Sequence, residues 1–147
     1  MAATPGLRSE TRYLEDEAAT LGYGEALAPR LPAGALVFLR GDLGAGKTTL
    51  VRGILRGLGH SGSVKSPTYT LLEPYALANC VVYHLDLYRI ADSGELDFIG
   101  IDELLEGDAL KLVEWPERGA DRLPAPDVEV RMQVHGEGRR VDIVVHG

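Results

Sequence analysis

The chain has 147 residues, of which 45% are apolar and 25% charged, with a formal net charge of −7 and a sequence pI near 5.0. That size suits a single core and leaves no room for a catalytic domain plus a separate substrate domain. The acidic balance argues against a surface that grips nucleic acid unaided, because such binding draws on clustered Lys and Arg. No apolar run approaches the roughly 20 residues needed to cross a bilayer, so no membrane role is expected.

In chain order, residues 1–12 read as a polar, flexible lead-in containing Pro5 and Gly6, without the apolar core of a signal peptide. The expected location is therefore cytoplasmic, and residues 13–147 are expected to form one domain. A helix is predicted from about Glu15 to Ala28: Asp16 and Glu17 suit its positive first turn, Ala18, Leu21, Gly24 and Ala28 give one small-residue face, and Pro29 disfavours helix before it. Ala35 to Leu39 is a short apolar strand, and Thr49 to Leu58 carries Leu50, Val51, Ile54, Leu55 and Leu58 at helical spacing.

Between that strand and that helix lies Gly41-Asp42-Leu43-Gly44-Ala45-Gly46-Lys47-Thr48-Thr49, which fits the phosphate-loop pattern G-x-x-x-x-G-K-[ST]. Three glycines allow successive backbone N–H groups to turn inward as a nest for phosphate oxygens at the positive end of a helix. Lys47 is placed to reach the β- and γ-phosphates, and the Thr48 hydroxyl to ligate Mg²⁺, which takes oxygen ligands.

Beyond the helix, Lys65-Ser66-Pro67-Thr68-Tyr69 is a loop whose Thr68 hydroxyl is a candidate to report on the γ-phosphate or to serve a plain loop-to-strand turn. Tyr69 to Leu72 and Cys80 to Leu85 read as two strands separated by Glu73-Pro74-Tyr75, with the lone Cys80 a small core residue. His84 is either a buried, hydrogen-bonded histidine or a group with a catalytic or positioning role. Asp92 and Glu95 resemble a capping arrangement that introduces Leu96, Phe98, Ile99, Ile101, Leu104 and Leu105 as short helices broken at Gly100.

Ala109 to Val113 is a further strand, stopped by Pro116. Val128 to Val134 and Val141 to Val145 form a closing antiparallel hairpin around His135 to Gly138, and Arg139-Arg140 there reads as a solvated turn feature. Two strands end in acids, Asp86 and Glu114, where a doubly wound sheet places its ligands. One would bind Mg²⁺ directly or through water, and the other would orient the attacking water. Trp115, the single tryptophan, stands at the edge of this site.

The resulting expectation is an α/β fold of the P-loop NTPase kind, a mostly parallel sheet flanked by helices with antiparallel C-terminal strands. The set formed by the phosphate loop, Ser66-Pro67-Thr68-Tyr69, His84-Leu85-Asp86-Leu87-Tyr88-Arg89 and Val113-Glu114-Trp115-Pro116-Glu117, in that order, closely resembles the bacterial TsaE (YjeE) family of tRNA threonylcarbamoyladenosine biosynthesis. The resemblance covers about residues 13–134.

It implies a weak ATPase using ATP and Mg²⁺ with the TsaB and TsaD proteins as partners. Thr48 and Glu114 would be metal ligands, Asp86 a catalytic or metal-linked acid, Lys47 the phosphate lysine, and Glu17 and Thr20 nucleotide contacts. The alternative is a P-loop small-molecule kinase, for which the chain offers little lid material: between Asp86 and Glu114 the only arginine is Arg89.

Overall fold

A computed structural model describes residues 7–64 and 71–146. The apolar runs become seven strands of one sheet, β1 (Glu10–Leu14), β2 (Leu36–Arg40), β3 (Leu72–Ala76), β4 (Val81–Asp86), β5 (Leu110–Glu114), β6 (Val128–His135) and β7 (Gly138–Val145), in the order β1-β7-β6-β2-β5-β4-β3. The four central strands β6, β2, β5 and β4 run parallel, whereas β3 at one edge pairs antiparallel with β4, and at the other β7 pairs antiparallel with both β6 and β1. The sheet is therefore mixed, with the expected parallel centre and C-terminal hairpin, and with antiparallel pairing at both edges.

Period-two alternation divides β2 between two cores. Val37 and Leu39 face one cluster with α1 (Glu17–Leu27) and α2 (Lys47–Gly57); Leu36 and Phe38 face the other, with α3 (Ile101–Glu106) and the 3₁₀ turn Ser93–Ile99. On α2, Leu50, Val51, Ile54 and Leu55 are fully buried, as their spacing predicts. At about 1.5–3 kcal/mol for each such side chain, this face is a main source of docking energy.

Helix α1 crosses α2 through glycines. A Cβ on Gly24 would stand 2.6 Å from the Leu50 carbonyl oxygen, and one on Gly53 would press into the carbonyl of Leu21. Gly24, which weakens helix propensity, thus supplies the close approach. Gly53→Ala is expected to destabilise the fold by about 2 kcal/mol, because the obstacle is backbone. A thermal melt lowered by roughly 5 °C would report it.

Several boundaries differ from the sequence expectation. Helix α1 starts at Glu17, with Asp16 as the N-cap accepting from the Ala19 N–H at 2.8 Å, and its buried face is Thr20, Gly24 and Leu27, with Ala18 exposed. β1 lies partly within the segment expected to be a loose lead-in. It forms because it pairs along β7, with Thr11 donating to Asp142 at 2.6 Å.

Of the predicted strand Tyr69–Leu72, residues 69 and 70 lie outside the described residues, and β3 runs from Leu72 through Glu73-Pro74-Tyr75, the segment expected to separate strands. Its edge position tolerates a proline. Lys65, Ser66, Pro67, Thr68 and Tyr69 fall outside the described residues. Asp92 and Glu95 do form a capping box, and Gly100 at φ 68° breaks the helical segment. Phe98, expected among the apolar contacts, is 90% exposed. Among the described residues no helix is long and apolar enough to cross a membrane.

Glu10 ties β1 to the helical layer, accepting from Arg30 at 2.7 Å and from the Tyr23 hydroxyl at 2.9 Å. The hydrogen bond from Arg30, helped by those from Tyr23 and Arg12, holds its carboxyl below the ordinary range despite partial desolvation. A depressed carboxylate stabilises the fold above its unfolded value, and the contribution is lost as pH falls through the folded one. Glu10→Gln is therefore expected to lower stability at pH 7, with the difference from the parent shrinking in denaturant melts as pH falls below about 4 towards the depressed folded value.

Candidate functional site

The phosphate loop leaves the carboxyl end of β2 and enters α2 at Lys47, two residues earlier than the apolar spacing indicated. Gly44 and Gly46 have φ of 80° and 97°, which glycine adopts without steric cost. A cavity of about 410 Å³ opens over the loop, lined by Leu43 through Thr49 together with Glu17, Thr20, Asp86, Glu114 and Trp115. Of the residues singled out from sequence, these come together. Asp42 does not line this cavity: it is exposed, and its carbonyl accepts from the Ala45 N–H at 3.1 Å to close the loop. Thr68 lies outside the described residues.

The two acids arrive by strand register. Asp86 and Glu114 are Cα partners across the parallel β4–β5 pair. Parity places both on the α2 face, since Leu112 and Val82, two and four residues from them, belong to the α1–α2 core. Glu114 is 3% exposed, and its carboxylate accepts from the Thr48 hydroxyl at 3.2 Å and meets His84 Nε2 at 2.6 Å. Asp86 accepts from the Tyr88 N–H at 3.0 Å. Burial, reinforced by neighbouring Glu114, pushes the Asp86 carboxyl above its usual value against the opposing pull of that N–H.

Lys47 is 5% exposed and donates to the Gly41 carbonyl, with its ammonium 3.7 Å from the centre of the Trp115 ring. Desolvation lowers its pKa, while Glu114 and Asp86 act in the opposite direction. Trp115 has φ 57°, the only positive φ at a non-glycine residue among those described. That conformation costs about 1–2 kcal/mol and turns the indole over the lysine. Tyr88 packs against Trp115 at 4.9 Å between ring centres, and the Arg118 guanidinium lies 5.0 Å from the centre of the Tyr88 ring.

Oxygen donors here suit a hard divalent cation. Neighbouring ligands of an octahedral Mg²⁺ stand about 3 Å apart, given bonds of about 2.1 Å. The Thr48 to Glu114 separation of 3.2 Å is close to that spacing. Among the described residues no group of three His, Cys, Asp or Glu side chains is arranged to hold a metal alone.

A family profile, Threonylcarbamoyl adenosine biosynthesis protein TsaE, matches residues 14–141. The chain belongs to the TsaE family. It is 44% identical over 143 residues to the TsaE protein of tRNA threonylcarbamoyladenosine biosynthesis from Haemophilus influenzae, covering 94% of this chain and 90% of that protein. The TsaE protein of Synechocystis is 44% identical over 110 residues, covering 72% and 69%. Among solved structures, Bacillus subtilis YdiB superposes with a TM-score of 0.79 at 26% identity, covering 97% of this chain and 90% of that one.

This TsaE chain also brings into the cavity residues that sequence reasoning missed. Asp16 comes from the cap of α1, and Glu137, Gly138 and Arg139 come from the β6–β7 turn. Arg139, read above as part of a solvated turn, is half-buried; the position a Cβ would take on Gly46 lies 3.9 Å from its Cγ. No local signal marks it. Only the pairing of β7 beside β6, which lies next to β2, brings that turn to the phosphate loop.

Proposed function

We propose that the chain is a Mg²⁺-dependent ATPase that supports threonylcarbamoyl modification of the adenosine next to the tRNA anticodon, acting with TsaB and TsaD proteins in the cytoplasm. The observation that carries the ATPase reading is the meeting of Thr48 and Glu114 at 3.2 Å beside the buried Lys47, at the open end of a phosphate loop. Family membership supports the pathway, and the net charge of −7 suits a protein that leaves contact with tRNA to its partners.

The loop amides and Lys47 bind the β- and γ-phosphates and balance their charge. Thr48 and Glu114 would hold Mg²⁺, which when bound would supply charge withdrawal from the transferring phosphoryl group. Asp86, next to Glu114 in register, orients a water for in-line attack at phosphorus or joins the metal's outer shell. Strand order supports one direction for the nucleotide. β5 and β4 lie on one side of β2, while β6, β7 and β1 lie on the other. On this reading the γ-phosphate would lie towards Glu114 and Asp86, and the nucleoside towards Glu17, Thr20 and Arg139.

Phosphate release from ATP and GTP, with and without Mg²⁺ and small-molecule acceptors, tests the chemistry. The expected result is slow, Mg²⁺-dependent release to water, raised by TsaB and TsaD; transfer only to an added metabolite would favour a kinase instead. Partner capture compared among ATP, ADP and nucleotide-free states tests the pathway, and nucleotide-independent failure to retain either protein would oppose it.

A further inference from the structure

His84 is fully buried on β4, on the same face as Asp86 and two residues before it. Its Nε2 lies 2.6 Å from Glu114 Oε2. A carboxylate only accepts hydrogen bonds, so at that separation the proton between them resides on Nε2; the opposite tautomer would set two lone pairs against each other. Nδ1 has no partner among the described residues. With Nε2 protonated, a neutral ring leaves Nδ1 as an acceptor lacking a donor, so the one satisfied ring nitrogen is the one directed at the site.

Glu114 needs such a tether. It ends β5 next to the left-handed Trp115, and its carboxylate would otherwise be free to rotate away from Thr48. His84 fixes Oε2 from beneath, while Thr48 Oγ1 lies 3.2 Å from Oε2 and 3.4 Å from Oε1. The same carboxylate is thus aimed at the phosphate-loop threonine by a hydrogen bond from the neighbouring strand. Leu112, the Cα partner of His84, is fully buried, as is His84 itself, so the pair lies away from solvent.

We propose that His84 is a positioning residue that presets the Glu114 carboxylate for divalent-cation binding, and that it touches neither nucleotide nor metal. The inference rests on the nucleotide reading above. Partners of this kind behind a metal ligand typically change metal affinity by 10- to 100-fold.

The test is titration of Mn²⁺, an EPR-visible substitute for Mg²⁺, into the full chain with saturating ADP, alongside ADP affinity measured in EDTA. His84→Leu is expected to weaken Mn²⁺ binding by about 10-fold or more while leaving metal-free ADP affinity within about twofold. His84→Gln, whose amide can donate from the Nε2 position, is expected to recover most of the loss. His84→Asn, which donates from the Nδ1 position and falls short of Glu114, is not.

Unchanged Mn²⁺ affinity in His84→Leu overturns the proposal, as does equal weakening by Gln and Asn, which would indicate packing alone. Should His84→Leu fail to fold, the contrast between Gln and Asn decides. A parent protein that binds no ADP at all overturns the nucleotide reading and this inference together, whereas normal parent binding with indifferent variants overturns this inference alone.

Discussion

Lys47→Ala is expected to lower ATP and ADP affinity by at least about 100-fold, effectively to no binding in a calorimetric titration. On the proposed reading the lysine would supply charge-assisted hydrogen bonds to two phosphates, each worth about 1.5–3 kcal/mol, and about 2.7 kcal/mol already corresponds to a factor of 100. Its surroundings show that the charge is held ready. The ammonium is nearly buried, leans on the Trp115 face and is bonded to the Gly41 carbonyl. Without phosphate, burial makes that charge costly, which is the direction of its lowered pKa. Removing it is therefore expected to leave the melting temperature of the nucleotide-free protein nearly unchanged. A variant that retains affinity within about threefold would remove Lys47 from the phosphate site.

Glu114→Ala is expected to abolish Mg²⁺-dependent turnover, by about 100-fold or more, while nucleotide affinity in EDTA stays within about threefold, because the carboxylate acts through the metal rather than on the phosphates. The substitution also strands the buried His84 N–H, a loss of about 1–3 kcal/mol that a thermal melt would detect. Glu114→Gln separates the two effects: its amide oxygen still accepts from His84, so stability is expected to return while turnover is not. Full Mg²⁺-dependent activity in Glu114→Gln would show that no charge is needed at that position.

Much of the site was legible because its parts are local in sequence. The phosphate loop is contiguous, the α2 face repeats every three to four residues, and the strands before Asp86 and Glu114 are apolar runs that end in an acid. The Asp92 to Glu95 cap was legible for the same reason. What escaped depends on distant pairing. β1 is Glu10-Thr-Arg-Tyr-Leu14, with three of its five residues exposed, and nothing within those residues announces a partner at Arg139 to Ile143.

β3 was misplaced because Pro74 reads as a breaker unless the strand is known to lie at an edge. Arg139 was read as solvated because hairpin turns usually are. Its place beside Gly46 follows only from the order of strands. The link between His84 and Glu114 spans 30 residues and depends on β4 and β5 pairing in parallel.

The backbone twist at Trp115 has a practical consequence. The protein has a single indole, and it stacks on the ammonium that a triphosphate would engage on the proposed reading. Any ligand that draws the cation towards its own oxygens changes the electrostatic field across that chromophore. Intrinsic ultraviolet emission from the unlabelled chain should therefore serve as an optical gauge of site occupancy.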